Sequence, residues 1–355
     1  MGIIKMIRKD IFALTGNEVL ARPLLTSDYQ VILPEGALLR KEYIPRIMEL
    51  GILEVYIKEK EIANEMVILK SEIKDGITEK VKNVLEHHTY QHDNGGLATL
   101  AEAADYIIST ILAEERVVEK IYDIRERSTD IYEHSINVCS LAILTALKLK
   151  LKKEKIHDIG VGCLLHDIGM RYTAGDYARM DISELNAKQQ ADYKKHPIYG
   201  YTCLQEEKWA STVSKSIVLY HHERMDGSGF PLHLRDIPLE CRIVNVCDAF
   251  DEMICGISCK SMKVYEAVEY LKAFQNKQFD AKIVEAFLSF TAIYPVGSYV
   301  KTNKGELAVV IAQNRDFRDR PVIRIIKDRQ GNDVNREMYM DLMKVRHIFI
   351  EAVVD

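Results

Sequence analysis

Apolar and polar residues alternate over short stretches at the start of the chain. Residues 1 to about 60 hold apolar runs bounded by turn-forming residues, and we interpret them as strands of a small α/β module. A short helix, with Gly51 as its C-cap, is predicted from Tyr43 to Leu50. The strand-like runs are Val19-Leu20-Ala21, Gln30-Val31-Ile32-Leu33 and Val55-Tyr56-Ile57.

The pattern becomes helical further along the chain. A first helical stretch is predicted from about Ala63 to His87, and from about Leu97 to Phe290 apolar residues recur at intervals of three and four. From Tyr294 the pattern returns to short alternating runs separated by turns, which predict a small β module. Its strands are predicted at 299–301, 307–312 and 322–326.

A polar segment, HHTYQHDNGG at residues 87–96, marks the clearest boundary. We interpret it as a solvated linker. A metal site formed by its three histidines (His87, His88 and His92) is the alternative, but no apolar framework surrounds them. The predicted domains are an N-terminal α/β regulatory or packing module (1–95), a helical domain (96–293) and a C-terminal β module (294–355). The predicted fold class is mainly α.

The composition excludes several classes of function. Over 355 residues the formal net charge is −5, which argues against a nucleic-acid duplex or an anionic membrane as partner. The N-terminus lacks the apolar run of a signal peptide, and no segment predicts a membrane span. The seven cysteines form no CxxC pair and lie mostly among apolar residues. We therefore expect free thiols and a cytoplasmic protein.

Histidines and aspartates recur at intervals of roughly 25–30 residues, the spacing at which helices of a bundle return to a common centre. They lie in apolar helical stretches or at their ends, where an unpaired ionisable group would be costly to bury. Because imidazole and carboxylate are natural ligands of iron, manganese or zinc, the pattern indicates a metal-dependent phosphohydrolase. The residues are His134, His166, Asp167, His196, His221, His222 and Asp248.

Asp130 is a further candidate ligand. It precedes His134 by four residues, so the two would share one face of a helix and bind the same metal cluster. Asp251, one turn after Asp248, is either a group that supports the metal site or a surface carboxylate. Asp226 is expected to cap the loop that contains it.

The tetrapeptide HDIG occurs twice, at residues 157–160 and 166–169. Nine residues are about two and a half helical turns, so the two copies would face opposite directions. The first follows a cationic segment and the second follows the apolar run VGCLL. We therefore assign His166 and Asp167 to the metals and interpret His157 and Asp158 as surface residues.

Two further stretches place histidines at helix ends. His196 precedes Pro197 at a predicted helix start. His221 and His222 end an apolar run and lead into ERMDGSGFP, a loop rich in glycine and aspartate.

The order H…HD…H…HH…D, together with HHERMDGSGFP, resembles the HD-GYP subfamily of the HD phosphohydrolase superfamily. The resemblance covers roughly residues 100–290, and the tail YPVGSYVKTNKGELAVVI is similar to the β extension that often follows that domain. It implies an HD-type helical bundle that hydrolyses cyclic di-GMP at two or three divalent ions, iron or manganese. The seven histidines and aspartates named above would be the ligands.

The resemblance also implies roles for individual residues. His166 and Asp167 would be catalytic, with Asp167 bridging two ions. Asp130 stands where three-metal members carry a glutamate, so a third ion is expected. Attack by a metal-bound hydroxide on the phosphodiester would give the linear dinucleotide, and the mononucleotide if three metals are present. The N-terminal module would serve a signalling partner or a homodimer.

The chain departs from the family at substrate-binding positions. The lysine of HDIGK is Met170, the GYP motif reads Gly229-Phe230-Pro231, and Ile257 replaces an arginine, which leaves Lys260 as the match in that segment. Substrate phosphates could instead be bound by Arg171, Arg224 or Arg242. Two alternatives therefore stay open: a phosphodiesterase for another nucleotide, and a receptor that binds a cyclic dinucleotide with little or no turnover. Tyr193, Tyr199, Tyr201 and Tyr220 could stack on guanine or pack within the fold.

Overall fold

The computed structural model describes eleven stretches of the chain, and it divides the chain into two compact units, Met1–Glu65 and Met66–Asp355. The described residues are 4–11, 17–21, 24–25, 31–34, 36–50, 52, 54–60, 71–91, 94–113, 130–314 and 317–354.

The first unit is built on an antiparallel sheet with strand order β1-β6-β2-β5, and β3 pairs with β4. Its elements are β1 (Ile4–Asp10), β2 (Asn17–Leu20), β3 (Leu24–Leu25), β4 (Val31–Leu33), β5 (Leu38–Arg40), α1 (Ile44–Glu49) and β6 (Glu54–Lys60). Leu20, Leu39, Ile47 and Ile57 form its apolar core. The three predicted strands and the short helix are present, whereas β1, β3 and β5 were not predicted. The predicted helix cap, Gly51, lies outside the described residues.

In its described residues, the second unit begins with ten α-helices. They are α2 (Ser71–Gln91), α3 (Asn94–Ala113), α4 (Ile131–Lys148), α5 (Lys153–Leu165), α6 (Ala187–Tyr193), α7 (His196–Leu204), α8 (Thr212–Tyr220), α9 (Leu239–Cys255), α10 (Val264–Phe274) and α11 (Ala281–Leu288). One apolar core includes residues of each of these helices except α6, and α4 and α9 contribute the longest buried stretches. The predicted mainly α, HD-type bundle with small α/β and β modules is confirmed.

The helix α2 belongs to this second unit and not to the N-terminal module. Ile77, Val81 and Leu85, spaced four residues apart, are buried in the helical core. The interpretation of residues 87–96 as a linker was wrong for most of its length, because residues 87–91 continue α2 and 94–96 begin α3. His92 lies outside the described residues.

The C-terminal module is a five-stranded antiparallel sheet with strand order β10-β9-β8-β7-β11. Buried residues alternate along β8 and β9, as expected of a sheet with one face on a core. The predicted strands at 299–301, 307–312 and 322–326 are confirmed, while β10 and β11 were not predicted. The strands are β7 (Tyr299–Thr302), β8 (Leu307–Ala312), β9 (Val322–Lys327), β10 (Asp333–Asp341) and β11 (Ile350–Val354). Among the described helices, none combines the length and apolarity that crossing a bilayer requires.

Candidate metal centre

His134 enters the centre from the first turn of α4 and is 1% exposed. Its ring is held between two carboxylates of α9: Nδ1 lies 2.8 Å from Oδ2 of Asp251, and Nε2 lies 3.1 Å from Oδ1 of Asp248. Asp251 is fully buried, so the surface alternative for this residue was wrong.

His166 and Asp167 lie where α5 ends and a 3₁₀ helix, Ile168–Tyr172, begins. The Nδ1 of His166 donates a hydrogen bond to the carbonyl of Cys163 at 2.6 Å. The carboxylate of Asp167 faces two histidine groups at once. Its Oδ2 is 3.4 Å from Nε2 of His166, and its Oδ1 is 3.4 Å from Nε2 of His196.

His196 is the first residue of α7, followed by Pro197 as the sequence predicted. Its Nδ1 donates to the carbonyl of Tyr193 at 2.8 Å. Gly169, the glycine of the second HDIG, allows the start of α7 to lie against it. A Cβ at Gly169 would collide with the carbonyl of His196 and lie 2.6 Å from the amide nitrogen of Gly200. The second HDIG is therefore packed directly against the start of α7.

His221 and His222 follow the last residue of α8, as predicted, and both are buried. The Nδ1 of His221 donates to the carbonyl of Val218 at 2.9 Å, and its Nε2 lies 3.0 Å from Nε2 of His196. The Nδ1 of His222 lies 3.6 Å from Oδ2 of Asp248.

Nitrogen lone pairs converge at this centre. Because the Nδ1 atoms of His166, His196 and His221 donate to backbone carbonyls, their neutral rings have no proton on Nε2. The Nε2 atoms of His196 and His221 nevertheless face each other at 3.0 Å. Two facing lone pairs repel unless a cation lies between or beside them. The residues therefore fit divalent metal ions, with backbone hydrogen bonds that orient the imidazoles.

The ionisation of the centre also suits metal binding. Burial lowers the pKa of His196, His221 and His222, that of His221 to about 3, so these rings are neutral at neutral pH. Burial opposes the charge of Asp167 and Asp248, but the neighbouring imidazoles outweigh it and hold both carboxyl pKa values below their usual range. These two carboxylates are thus ionised.

His134 and His166 behave in the opposite way. Burial alone would lower the pKa of His134, yet hydrogen bonds with Asp248 and Asp251 outweigh it and raise this pKa well above its usual value. The charge of Asp167 and a hydrogen bond with Asp248 likewise overcome burial and raise the pKa of His166. In the metal-free protein a proton therefore competes for this part of the centre.

The described residues form three overlapping groups whose ligand atoms lie within 4.8 Å of one another. The first is His134, His166 and Asp167; the second is Asp167, His196, His221 and His222; the third is His222, Asp248 and Glu252. All seven of the recurring histidines and aspartates are thereby brought together. Asp130 belongs to none of these groups.

The sequence analysis placed Asp130 within a helix. Asp130 instead caps the start of one. Its Oδ1 accepts hydrogen bonds from the backbone N–H groups of Tyr132 and Glu133 at 2.9 and 3.1 Å, which begins α4. His157 and Asp158 of the first HDIG lie in α5, partly exposed, and belong to none of the groups either.

The glycine-rich loop covers one side of the centre. The ring of Phe230 stacks on that of His222 with centroids 4.5 Å apart, and the N–H of Phe230 donates to the carbonyl of His222 at 3.1 Å. Gly229 permits this fold because a Cβ there would meet the backbone of residues 222–224. Asp226 accepts from the amide and hydroxyl of Ser228, so it caps the loop as expected.

The predicted substrate contacts differ in their surroundings. Arg171 lines the same cavity of about 10 Å³ as Asp167. Lys260 is exposed, whereas Ile257 is buried. One guanidinium nitrogen of Arg224 donates to two backbone carbonyls, and the group lies over Phe279, so Arg224 supports the backbone of the loop.

The remaining candidates have structural partners as well. Arg242 is ion-paired with Asp280. Among the four tyrosines, Tyr193 is buried, and its hydroxyl lies 3.4 Å from Nε2 of His222. Tyr193 therefore packs inside the centre.

Two functional carboxylates were missed by the sequence analysis. Buried Glu223 accepts from the N–H groups of Leu232 and Leu234 at 2.6 and 2.9 Å, which holds the end of the glycine loop. Glu252 lies one turn after Asp248, and burial, with the charges of Asp248 and Asp167, raises its pKa well above the usual value. The interval of four residues from Asp248 was the available signal for Glu252.

Two families of known domains match the chain. Residues 115–283 match the HD domain, and residues 299–355 match the KOW domain associated with HD domain. Among solved structures, an HDG"Y"P protein from Bdellovibrio bacteriovorus aligns with a TM-score of 0.51 at 18% sequence identity, covering 80% of this chain and 98% of that one. This likeness shows the fold.

Curated relatives match in sequence. A cyclic di-GMP phosphodiesterase of Pseudomonas aeruginosa is 30% identical over 221 residues, which cover 61% of this chain and 53% of that protein. A cyclic di-GMP phosphodiesterase response regulator of Xanthomonas campestris pv. campestris is 35% identical over 152 residues, which cover 42% of this chain and 40% of the relative. The chain thus spans about half, or less, of the length of these relatives.

The helical fold and the buried cluster of imidazoles and carboxylates define a divalent-metal-binding HD domain. The motifs that resemble the HD-GYP subfamily lie within residues 115–283, and the similarity to the curated relatives agrees with that resemblance.

Proposed function

We propose that this protein is a metal-dependent phosphodiesterase that hydrolyses cyclic di-GMP to the linear dinucleotide or to GMP. The observation that carries the proposal is the position of Asp167, whose two carboxylate oxygens each lie 3.4 Å from a different imidazole, Nε2 of His166 and Nε2 of His196. A carboxylate shared in this way suits two adjacent divalent ions. The names of the curated relatives support cyclic di-GMP as the substrate.

The metal-binding residues fall into two sets. His134 and His166 would hold one ion, and His196, His221 and His222 a second, with Asp167 between them and Asp248 beside the first set. Imidazole suits iron and carboxylate suits manganese, so we propose that these mixed sets hold iron or manganese. When bound, two such ions lower the pKa of a water and neutralise charge on the phosphodiester.

The other side chains would position the substrate. Phe230 presents an aromatic ring beside the centre, and exposed Lys194 lies with its Nζ 5.9 Å from that ring. We assign phosphate binding to Lys194, Arg171 and Lys260, because each is cationic. Arg171 lines the same cavity as Asp167, Lys194 lies near the ring of Phe230, and Lys260 is exposed. The contact of Arg224 with substrate stays a prediction.

The test is turnover of cyclic di-GMP by purified protein prepared anaerobically with Fe(II) or Mn(II), with metal content measured on the same sample. His166→Ala should abolish turnover and release the ion of its set, and Asp167→Asn, which alters both sets, should abolish turnover and metal retention. The first HDIG offers matched controls, because His157→Ala and Asp158→Asn alter the same tetrapeptide outside the centre. Equal loss in the control variants, or turnover that survives Asp167→Asn, would contradict the proposal.

A second function, a receptor that binds a cyclic dinucleotide with little turnover, is favoured by Met170 and by the burial of Ile257, because neither can bind phosphate. Bound metals, tight binding of cyclic di-GMP and no hydrolysis would establish it. Hydrolysis of cyclic di-AMP or a mixed cyclic dinucleotide in preference to cyclic di-GMP would instead assign another substrate. The N-terminal unit is proposed to serve a signalling partner or a homodimer.

A further inference from the structure

A cavity of about 220 Å³ lies where the helical domain meets the C-terminal sheet, within the second compact unit. Its walls include residues 263–265 at the start of α10, 297–299 at the start of β7 and 353–354 at the end of β11, and we call it the junction cavity. None of the described metal-binding groups lines it. At about 30 Å³ for each water, it has room for roughly seven waters. Small molecules often bind in cavities where two domains meet.

The wall that α10 contributes is held by Glu266. Its Oε2 accepts a hydrogen bond from the backbone N–H of Lys263 at 2.8 Å, and its Oε1 accepts one from the hydroxyl of Tyr265 at 3.3 Å. The ring of Tyr265 also lies nearly parallel to that of Tyr294, with an interplanar angle of 28° and centroids 6.4 Å apart. Because these groups are fixed before any ligand binds, the entropic cost of binding is reduced.

A tight turn and two strands form another wall. The N–H of Ser298 donates to the carbonyl of Pro295 at 3.0 Å, and Gly297 has a φ of 92°, as in a type II turn. Tyr299 follows this turn on β7 and lies opposite Val354 of β11 in the antiparallel register. The side chain of Tyr299 is 49% exposed, so part of its surface is available to a ligand.

The walls combine aromatic rings with a cation. Tyr265 and Tyr299 supply rings on which any nucleobase can stack. Lys263 is the one residue charged at neutral pH among the described residues that line the cavity, and a lysine ammonium binds phosphate as a point charge. Aliphatic side chains, such as those of Ile293 and Val354, form much of the remaining wall. These walls suit a ligand that is planar and aromatic at one end and anionic at the other.

We propose that the junction cavity binds a nucleoside monophosphate, with the base against Tyr265 and Tyr299 and the phosphate at Lys263. The GMP that the proposed function can release is one such ligand, and only its identity as the natural ligand rests on that function. Binding requires no metal, because the described metal-binding residues lie outside the cavity. The protein would thus bind its product at a second position, away from the metal centre.

The experiment measures the binding of GMP and of guanosine to the full-length protein by equilibrium dialysis, with metal bound and after metal removal. Metal removal eliminates phosphate binding that depends on the metal centre and leaves the junction cavity unaltered. We expect the metal-free protein to bind one GMP per chain. Guanosine should bind about tenfold or more weakly, because it lacks the phosphate that pairs with Lys263.

Two substitutions, each with a matched control, test the walls of the cavity. Lys263→Met should abolish the preference for GMP over guanosine, whereas Lys272→Met, in the same helix but outside the cavity, should retain it. Tyr299→Thr should weaken the binding of both ligands about fivefold or more, through loss of a base–aromatic contact. Its control is Tyr339→Thr, which replaces a similarly exposed tyrosine on β10 of the same sheet. Threonine is favoured in strands, and thermal unfolding checks that each variant is folded.

The possible outcomes separate this inference from the proposed function. The inference is overturned if the metal-free protein binds no GMP, if it binds GMP and guanosine equally, or if each substitution has the same effect as its control. Turnover of cyclic di-GMP is measured separately. An inactive protein that still binds GMP after metal removal would refute the proposed function and support the junction cavity. An active protein without metal-independent GMP binding would do the reverse.

Discussion

The Nδ1 atom of His134 lies 2.8 Å from Oδ2 of Asp251, which joins the first turn of α4 to α9 inside the centre. Both side chains are buried. Because this hydrogen bond fixes the ring and directs Nε2 towards His166 and Asp248, we expect Asp251 to position His134 for metal binding without binding metal itself.

Asp251→Asn should therefore weaken metal binding. The substitution removes the charge that makes His134 more basic, and we expect the affinity for one ion to fall about 10- to 100-fold. A Mn²⁺ titration of the metal-free variant measures this affinity. The control is Asp226→Asn, in an exposed loop where asparagine can still accept from Ser228. Equal affinities in the two variants would contradict the positioning role.

Much of this centre was accessible from the sequence because its ligands lie at helix ends and in apolar runs. The assignment of the second HDIG, and not the first, followed from the apolar residues before it, and the start of α7 at His196 followed from Pro197. Local chemistry of this kind is encoded in adjacent residues.

The missed residues depend on contacts distant in sequence. Glu252 contributes because His222, thirty residues earlier, folds back beside α9. Glu223 is important because its carboxylate bonds with backbone groups nine and eleven residues later. Asp130 was expected inside a helix for a related reason: its spacing to His134 fits a shared helix face, but the helix begins one residue after it. Its role as a metal ligand stays a prediction. Spacing alone does not distinguish a cap from a ligand.

Gly169→Ala should destabilise the protein, because a Cβ at this position would collide with the carbonyl of His196 at the start of α7. Overpacking of this kind costs about 1–3 kcal/mol. We also expect weaker metal binding through displacement of His196. Thermal unfolding and a metal titration measure the two effects.

The first HDIG provides the control, Gly160→Ala. A Cβ at Gly160 would lie 3.3 Å from the Cβ of Ala104, a tight contact with a side chain and not with backbone. It lies within α5, where alanine is favoured over glycine by roughly 1 kcal/mol. Gly160→Ala should therefore change stability little. A larger loss in Gly160→Ala than in Gly169→Ala would refute the interpretation of the close contact.

Glu223→Gln should loosen the glycine loop. The carboxylate of Glu223 accepts hydrogen bonds from the backbone N–H groups of Leu232 and Leu234. In Gln an NH₂ group replaces one of the two oxygens, so one of these N–H groups loses its acceptor. Leaving a partly buried donor unsatisfied costs about 1 kcal/mol, the low end of the range for buried groups. We expect a lower midpoint of thermal unfolding and a higher KM, with metal content unchanged.

Glu240→Gln is the matched control for Glu223→Gln, because Glu240 pairs with the exposed side chain of Lys155 at 2.9 Å. Surface pairs of this kind contribute about 0.2–1 kcal/mol. Equal effects of the two variants on KM would show that Glu223 does not act through the loop.

Met170→Lys tests whether the absence of a lysine at this position lowers kcat/KM. Met170 is half-buried in the 3₁₀ helix that follows Asp167, next to Arg171. A cation there should gain a charge-assisted hydrogen bond to phosphate of about 1.5–3 kcal/mol, hence roughly tenfold or more in kcat/KM. Met170→Gln, which adds a polar group without charge, is the control. No change in Met170→Lys, together with a large loss in Arg171→Ala, would show that Arg171 has taken over phosphate binding.

Acidification should release the metals in a defined order. The raised pKa values of His134 and His166 mean that protons compete for their nitrogens at a higher pH than for an ordinary histidine. His196, His221 and His222 have lowered pKa values, about 3 for His221, so protons compete with metal there only in more acidic solution. For each proton that a metal must displace, affinity falls about tenfold per pH unit below the pKa of the ligand. As the pH falls from about 7.5 to about 5.5, the ion at His134 and His166 should be lost first.

Equilibrium dialysis followed by elemental analysis measures the order in which the ions are lost. The variants His221→Ala and His134→Ala, each expected to retain one of the two ions, show which ion is lost at which pH. Loss of the ion at His196, His221 and His222 at the higher pH would contradict the expected order.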